Sequence, residues 1–279
     1  MQARVAGRVY HEIQPVVGDR AVASFIEELP LIETILPRRS VLQRTVPLGR
    51  STQIIAANVD TVLVISSLHS PDFSHGFTCR ALAAAAWRKL DALLVINKTD
   101  LCRSQDDELM LKEISEVYGP NGAGYGVHEV SCRTGEGTGE LLKSIKGSTV
   151  VMSGPSGAGK TSLAKEFVPS LDVRIGAVNP KTEKGRHTTV AARLIPLNGD
   201  TAIIDTPGLR MFSIEHIPPE ELQFCFPEFA RYIGECRFRD CLHMSEPGCA
   251  VKEASDRGEI PAVRYGMYRS FVEGAEDGA

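Results

Sequence analysis

Nine consecutive residues carry the strongest chemical signal in the chain: Gly154, Pro155, Ser156, Gly157, Ala158, Gly159, Lys160, Thr161 and Ser162. Their pattern, GxxxxGK(S/T), is that of a loop that wraps phosphate. The glycines let the backbone curl until successive N–H groups face one cluster of phosphate oxygens, and a following helix adds its positive end. Lys160 then reaches the outer phosphates and the Thr161 hydroxyl can ligate Mg²⁺. A glycine-rich turn that binds nothing is the bland alternative. The β-branched run Ser148–Ser153 before the loop and the helical stretch Leu163–Phe167 after it argue against that alternative.

A second constellation chooses the base. Asn97, Lys98, Thr99 and Asp100 follow the apolar run Asp91–Ile96. A carboxylate at a strand's C-terminal end accepts both the ring N1–H and the exocyclic amine of guanine in a charge-assisted pair. Adenine has no N1–H and would leave that carboxylate unpaired. Asp100 takes this role, with Asn97 orienting the base from another edge and the Lys98 stem lying over the ring. Ser131 and Cys132 also close a strand, and backbone N–H groups in their turn can donate to guanine O6. Asp205-Thr206-Pro207-Gly208 ends a further strand, placing Asp205 near Mg²⁺ and Gly208 near a γ-phosphate. Between the phosphate loop and that strand lie His187, Thr188 and Thr189, where one threonine completes the metal shell. Each signal is weak alone; together they point to GTP.

Their order carries further information. An ordinary GTPase runs phosphate loop, switch threonine, DxxG, NKxD and then the serine turn. Here 97–100 and 131–132 precede 154–162, 187–189 and 205–208. The nucleotide domain is circularly permuted, which α/β domains tolerate because their termini lie close together at the surface. Just after DxxG, where Ras-like enzymes carry a glutamine, this chain has Leu209 and then Arg210. Leucine cannot orient water, so intrinsic turnover is expected to be slow. His187 is the candidate catalytic group beside Lys160, as a base or a water-orienting side chain; a histidine in a mobile loop is the plainer reading.

Cys236, Cys241, His243 and Cys249 place three thiols and one imidazole within fourteen residues. Cys₃His is a closed tetrahedral structural zinc set, and metal binding would fold a segment with little core of its own. The alternative is three buried cysteines and a surface histidine. The remaining Cys79, Cys102, Cys132 and Cys225 are expected as small buried residues.

The elements that must hold these groups follow a strand–helix rhythm. Strands are predicted at Val59–Ser66, Asp91–Ile96, Gly126–Val130, Ser148–Ser153, Val190–Leu197 and Thr201–Asp205. Helices are predicted at Cys79–Leu90, about Gln105–Val117 and Gly139–Ile145. This alternation means a mostly parallel sheet covered by helices. Residues 1–50 differ, with short apolar alternation at Val5–Tyr10, Asp19–Phe25 and Leu31–Ile35, and suit a small β-barrel. Pro37-Arg38-Arg39-Ser40, Arg44 and Arg50 make a basic exit, either a solvated linker or an RNA-facing patch. After Ile214 a helix beginning at Pro218 is stopped by Pro227, and a polar helical tail runs from Ala250 to the end. The 279 residues are 43% hydrophobic and 24% charged, ordinary for a soluble globular protein. A net charge of −4 gives no bulk attraction to nucleic acid. No apolar run spans a bilayer and the N-terminus lacks a signal-peptide core, so a cytoplasmic protein with no membrane partner is expected.

The chain resembles the bacterial small ribosomal subunit-dependent GTPase A family, the circularly permuted ribosome-biogenesis GTPases. The resemblance rests on Val17-Gly18-Asp19, Leu36–Ser40 with Arg44, NKTD, Gly154–Leu163, Lys184–Thr189, Asp205–Arg210 and the cysteine cluster, and covers nearly the whole chain. It implies a multidomain α/β protein: an OB-like barrel over 1–50, a permuted GTPase domain over 51–214 and a helical zinc-binding domain over 215–279. It also implies GTP hydrolysis stimulated by the small ribosomal subunit and its rRNA during late maturation, by a monomer with Mg²⁺ and one zinc ion. The family's barrel usually has more strand before Val17-Gly18-Asp19, so either this barrel is abbreviated or the sequence begins late. A nucleotide-gated RNA-binding adaptor, with hydrolysis incidental, is the competing function.

Overall fold

The computed structural model describes residues 3–7, 13–26, 29–45, 52–169, 171, 193–205 and 214–274. The chain divides into two units, one of residues 1–60, 145–151 and 174–211, the other of 61–144, 152–173 and 212–279.

The first unit begins with strands β1 (Arg4–Val5), β2 (Ala21–Ile26) and β3 (Leu29–Ile35), which form a sheet in the order β1-β3-β2. Strands β4 (Val41–Thr45) and β5 (Thr52–Ala57) pair antiparallel. Pro30 lies inside β3, rather than separating two strands as its residue type suggests. The basic exit has structural duties. Arg38 donates to both oxygens of Asp19 at 2.7 and 2.9 Å and to the Gln14 carbonyl. Arg39 pairs with Asp60 at 3.1 Å, and its backbone N–H donates to the Asn58 amide oxygen. The Asn58 amide in turn donates to the Gly18 carbonyl. The Val17–Asp19 and Pro37–Ser40 segments are thus two halves of one polar latch.

In the second unit β6 (Thr61–Ser67), a β-branched run, is buried at every residue. It pairs parallel with β7 (Asp91–Asn97), which pairs parallel with β8 (Gly126–Glu129). Helix α1 (His75–Trp87) starts four residues before the predicted Cys79, because the Ser74 side chain accepts from Phe77 N–H and caps it. Ala81 to Ala85 are all buried, since this helix packs on β6 and β7 and also on the C-terminal helices. Helix α2 (Gln105–Tyr118) opens with a capping box between Ser104 and Asp107. Helix α3 (Thr138–Ser144) follows.

Strand β9 (Thr149–Ser153) begins in the first unit and ends in the second. Its first-unit residues pair parallel with β11 (Ala202–Asp205), which pairs antiparallel with β10 (Arg193–Pro196). Asp60 clamps the start of β9: its N–H donates to the Thr149 carbonyl and its carboxylate accepts from Thr149 N–H, at 2.8 and 2.9 Å.

The C-terminal region departs from the sequence reading. The helix from Pro219 lasts one α turn to Leu222 and continues as 3₁₀ to Cys225; Pro227 then starts another 3₁₀ turn instead of stopping a helix. The tail is two helices, Ala250–Asp256 and Ala262–Val272. It is not a polar appendage. Arg264, Tyr265 and Tyr268 are buried on its inner face. Arg264 is fully buried, donates to Glu228 at 2.6 and 3.2 Å and lies over the Phe226 ring at 4.5 Å. Its charge also faces the rings of Tyr118 at the end of α2 and Tyr125 beyond it.

Candidate functional site

The phosphate loop is built by close backbone approach. A Cβ on Gly154 would sit 2.4 Å from the Ile65 carbonyl oxygen, so only glycine lets the chain leave β9 alongside β6. Gly159 has φ +97 and a Cβ there would meet the Asn97 amide nitrogen at 2.0 Å. Helix α4 (Lys160–Phe167) starts immediately after it, with Thr161 and Ser162 exposed in its first turn and Leu163 and Ala164 buried. The Lys160 ammonium is half-buried, which lowers its pKa. It donates to the Gly154 and Pro155 carbonyls at 2.7 and 2.9 Å. A phosphate oxygen is a stronger, charged acceptor for the same donor.

The residues expected to recognise the base meet this loop through Asn97. Its amide nitrogen donates to the Ala158 carbonyl at 2.9 Å and its oxygen accepts from Cys132 N–H at 3.3 Å. Both ends of the side chain tie three loops together. Lys98 adopts a left-handed φ of 65 before the 3₁₀ turn Thr99–Leu101, and its ammonium donates to the Ser70 carbonyl. Thr99 N–H donates to the Val130 carbonyl.

Asp100 is held at the centre. One carboxylate oxygen accepts from Ser131 Oγ at 2.6 Å, and the other forms an ion pair with Arg133, whose Nε lies 2.7 Å away. The Ser131 hydrogen bond holds its pKa below the ordinary carboxylate value; burial opposes this and Arg133 reinforces it. Burial pushes the half-buried Cys132 thiol up to about 11, so it is no nucleophile. Of the four cysteines expected to be buried, Cys79 and Cys225 are, whereas Cys102 and Cys132 are partly exposed.

Sequence reasoning missed the wall opposite. The loop after β6 brings Ser70 and Pro71 to 3.8 and 3.6 Å from where a Cβ on Gly157 would lie. His69 Nε2 meets Asp107 at 2.7 Å and pins that loop to the start of α2. The His69-Ser70-Pro71 turn at a strand end was the only hint. His187, Thr188, Thr189 and Gly208 lie outside the described residues, as do Leu209 and Arg210. Asp205 closes β11 in the first unit.

This fold and these loops have known counterparts. The RsgA GTPase family model matches residues 35–215. The chain belongs to the RsgA GTPase family. It is therefore a GTP-hydrolysing enzyme of the circularly permuted kind, with Mg²⁺ accompanying the nucleotide. Among RsgA proteins, the small ribosomal subunit biogenesis GTPase of Gemmatimonas aurantiaca is 40% identical over 274 residues, 95% of this chain and 87% of the relative. That of Shewanella oneidensis is 34% identical over 250 residues, 88% and 68% of the two chains. Among solved structures, YjeQ from Thermotoga maritima aligns with a TM-score of 0.81 at 32% identity, covering 99% of this chain and 90% of that one. YloQ, titled a circularly permuted GTPase, aligns at 0.78 and 28% identity, covering 99% and 86%.

The second candidate centre is the cluster of Cys236, Cys241, His243 and Cys249, whose ligand atoms all lie within 4.8 Å of one another. His243 Nδ1 is 3.5 Å from the Cys236 sulfur and 3.4 Å from that of Cys249. His243 Nε2 donates to the Gln223 amide oxygen at 2.8 Å, which leaves the lone pair on Nδ1 facing the thiols. Tyr265 and Tyr268 hydroxyls donate to the His243 and Leu242 carbonyls, fixing the loop from the last helix. Burial pushes the Cys241 thiol up to about 12 and raises Cys249 as well. Such a donor set fits a metal ion. Gln223, Tyr265 and Tyr268 carried no signal in the sequence because they lie far from the cluster along the chain.

Proposed function

We propose that this RsgA-family chain acts in late maturation of the small ribosomal subunit, hydrolysing GTP to GDP and phosphate under stimulation by the subunit and its rRNA. The observation that carries the guanine reading is Asp100, an ionised carboxylate fixed by Ser131 at a strand end and linked to the phosphate loop through Asn97. Lys160 and the loop amides of 154–162 neutralise the phosphates, Thr161 with Thr188 or Thr189 ligates Mg²⁺, and Asp205 and Gly208 serve the metal and the γ-phosphate. His187 orients the water once a partner has remodelled the site.

The Cys₃His cluster takes zinc. A sulfur and a nitrogen sharing a tetrahedral zinc ion stand roughly 3.6 Å apart, from bond lengths of about 2.3 and 2.05 Å. The His243-to-thiol distances of 3.4 and 3.5 Å support that reading. The N-terminal strands read as an OB-like rRNA-facing module, followed by the permuted GTPase domain and the zinc domain along the boundaries set out above. The protein is read as a cytoplasmic monomer.

Steady-state hydrolysis of GTP and ATP, with and without purified small subunits, tests this. Stimulation confined to GTP is expected, and His187→Ala is expected to keep GTP binding while losing most of the stimulated rate. No stimulation despite tight GTP binding would favour the adaptor function. Wild-type stimulated turnover in the variant would remove His187 from the mechanism.

A further inference from the structure

Arg133 has no place in the recognition scheme, yet it holds one of the two oxygens on which that scheme depends. Its Nε lies 2.7 Å from Asp100 Oδ2, while Ser131 Oγ takes Oδ1 at 2.6 Å. The two partners differ in kind. Ser131 is buried, its hydroxyl also accepts from Thr134 N–H, and its backbone closes the turn with Glu136. Arg133 is 66% exposed and its guanidinium has no other partner among the described residues, whereas the Asp100 side chain is 9% exposed. One partner is fixed and the other is free to leave.

Guanine presents two N–H donors on one edge, side by side. A guanidinium presents the same pattern to a carboxylate. We propose that Arg133 is an internal competitor for the guanine-binding carboxylate: it occupies Asp100 until guanine displaces it, and recaptures Asp100 as the base leaves. Guanine affinity is thereby reduced by the fraction of time that Asp100 is available, as for any site whose competent form is partly populated. Recapture also shortens the stay of GDP. Lys98 on the other side of the base site is tethered to the Ser70 carbonyl and is not in competition. The inference rests on the reading of Asp100 as the guanine carboxylate.

The test is the affinity and dissociation rate of a fluorescent GDP for wild type, Arg133→Met and Arg133→Lys. Methionine keeps an apolar stem over the site and removes the charge; lysine keeps a single-point charge. Arg133→Met is expected to bind GDP about fivefold tighter, the upper end for an exposed ion pair, with a correspondingly slower release. Arg133→Lys is expected to fall between the two. Unchanged or weaker GDP binding in Arg133→Met would overturn the inference, weaker binding marking Arg133 as a ligand of the base itself. Asp100→Asn serves as the separate control. Its loss of GDP and gain of xanthosine diphosphate, whose O2 accepts from an amide, keeps the underlying assignment. Unchanged GDP binding in Asp100→Asn would sink that assignment and the competitor role with it.

Discussion

The nucleotide end of the second unit and its C-terminal cluster are both polar sites in one compact body, and they treat their polar groups in opposite ways. Around the phosphate loop, three of the described site side chains already have protein partners: Lys160 the Gly154 and Pro155 carbonyls, Asp100 Ser131 and Arg133, Asn97 Ala158 and Cys132. In the cluster, three thiols crowd one imidazole lone pair, and burial pushes two of the thiols away from ionisation. The first arrangement is stable while ligands come and go. The second places groups where only a cation makes them favourable as thiolates, and beside it Arg264–Glu228 and the Phe226–Phe229–Tyr268 rings close a buried core. At the nucleotide end protein groups stand where a ligand's would, whereas at the cluster the candidate ligand atoms face one another.

The largest expected effect follows from the resident side. Structural zinc contributes on the order of 10 kcal/mol to the folding of small domains. Stripping the metal with a chelator, or Cys249→Ser, is expected to unfold residues 214–274. Since those residues pack on α1, the loss should lower the thermal midpoint of the whole second unit. Calorimetry with parallel metal analysis measures this. A stripped protein with an unchanged midpoint would erase the contrast between the two sites.

On the exchangeable side, Gly159→Ala tests positioning without a global cost. The new Cβ meets Asn97 at 2.0 Å in a left-handed conformation, so the loop must shift. Strain of about 1–3 kcal/mol is expected there. If it is expressed in the bound loop, GDP affinity falls by roughly tenfold to a hundredfold, with a much smaller change in thermal midpoint. Titration calorimetry beside thermal unfolding separates the two. Equal affinity would mean that the loop has slack the geometry denies.

The sequence made the nucleotide end legible because its chemistry is local. The phosphate loop and NKTD each sit within a handful of residues at a strand end, and strand periodicity placed β6, β7, β9 and β11 within a few residues. The loop's third wall escaped because Ser70 and Pro71 reach Gly157 only through folding. Spacing likewise pointed to the cysteine cluster, but nothing in a single sequence marks Gln223, Tyr265 or Tyr268 as its supports. Arginines 38 and 39 looked like a basic surface; their acidic partners Asp19 and Asp60 lie about twenty positions away, beyond any local pattern. The alternation in Asp19–Phe25 did not report a buried face either, since β2 is largely exposed along its length.

The smallest expected effect sharpens how Asp100 is kept ready. Its pKa is depressed, first by the Ser131 hydrogen bond and then, against the opposing effect of burial, by Arg133. A depressed carboxylate contributes its stability fully above the unfolded value of about 3.9 and loses it only as pH falls through the lower folded value. The carboxylate proposed to accept guanine therefore stays ionised from pH 8 down to pH 5, and GDP affinity is expected to vary little over that range on its account. Ser131→Ala removes the largest cause, so the acid fall in affinity should move upward in pH, towards that window. Arg133→Met, which removes a lesser cause, should move it less while tightening binding at neutral pH. An acid fall unmoved in Ser131→Ala would show that Arg133, not the serine, keeps the carboxylate charged, and the division between a fixed partner and a displaceable one would have to be reversed.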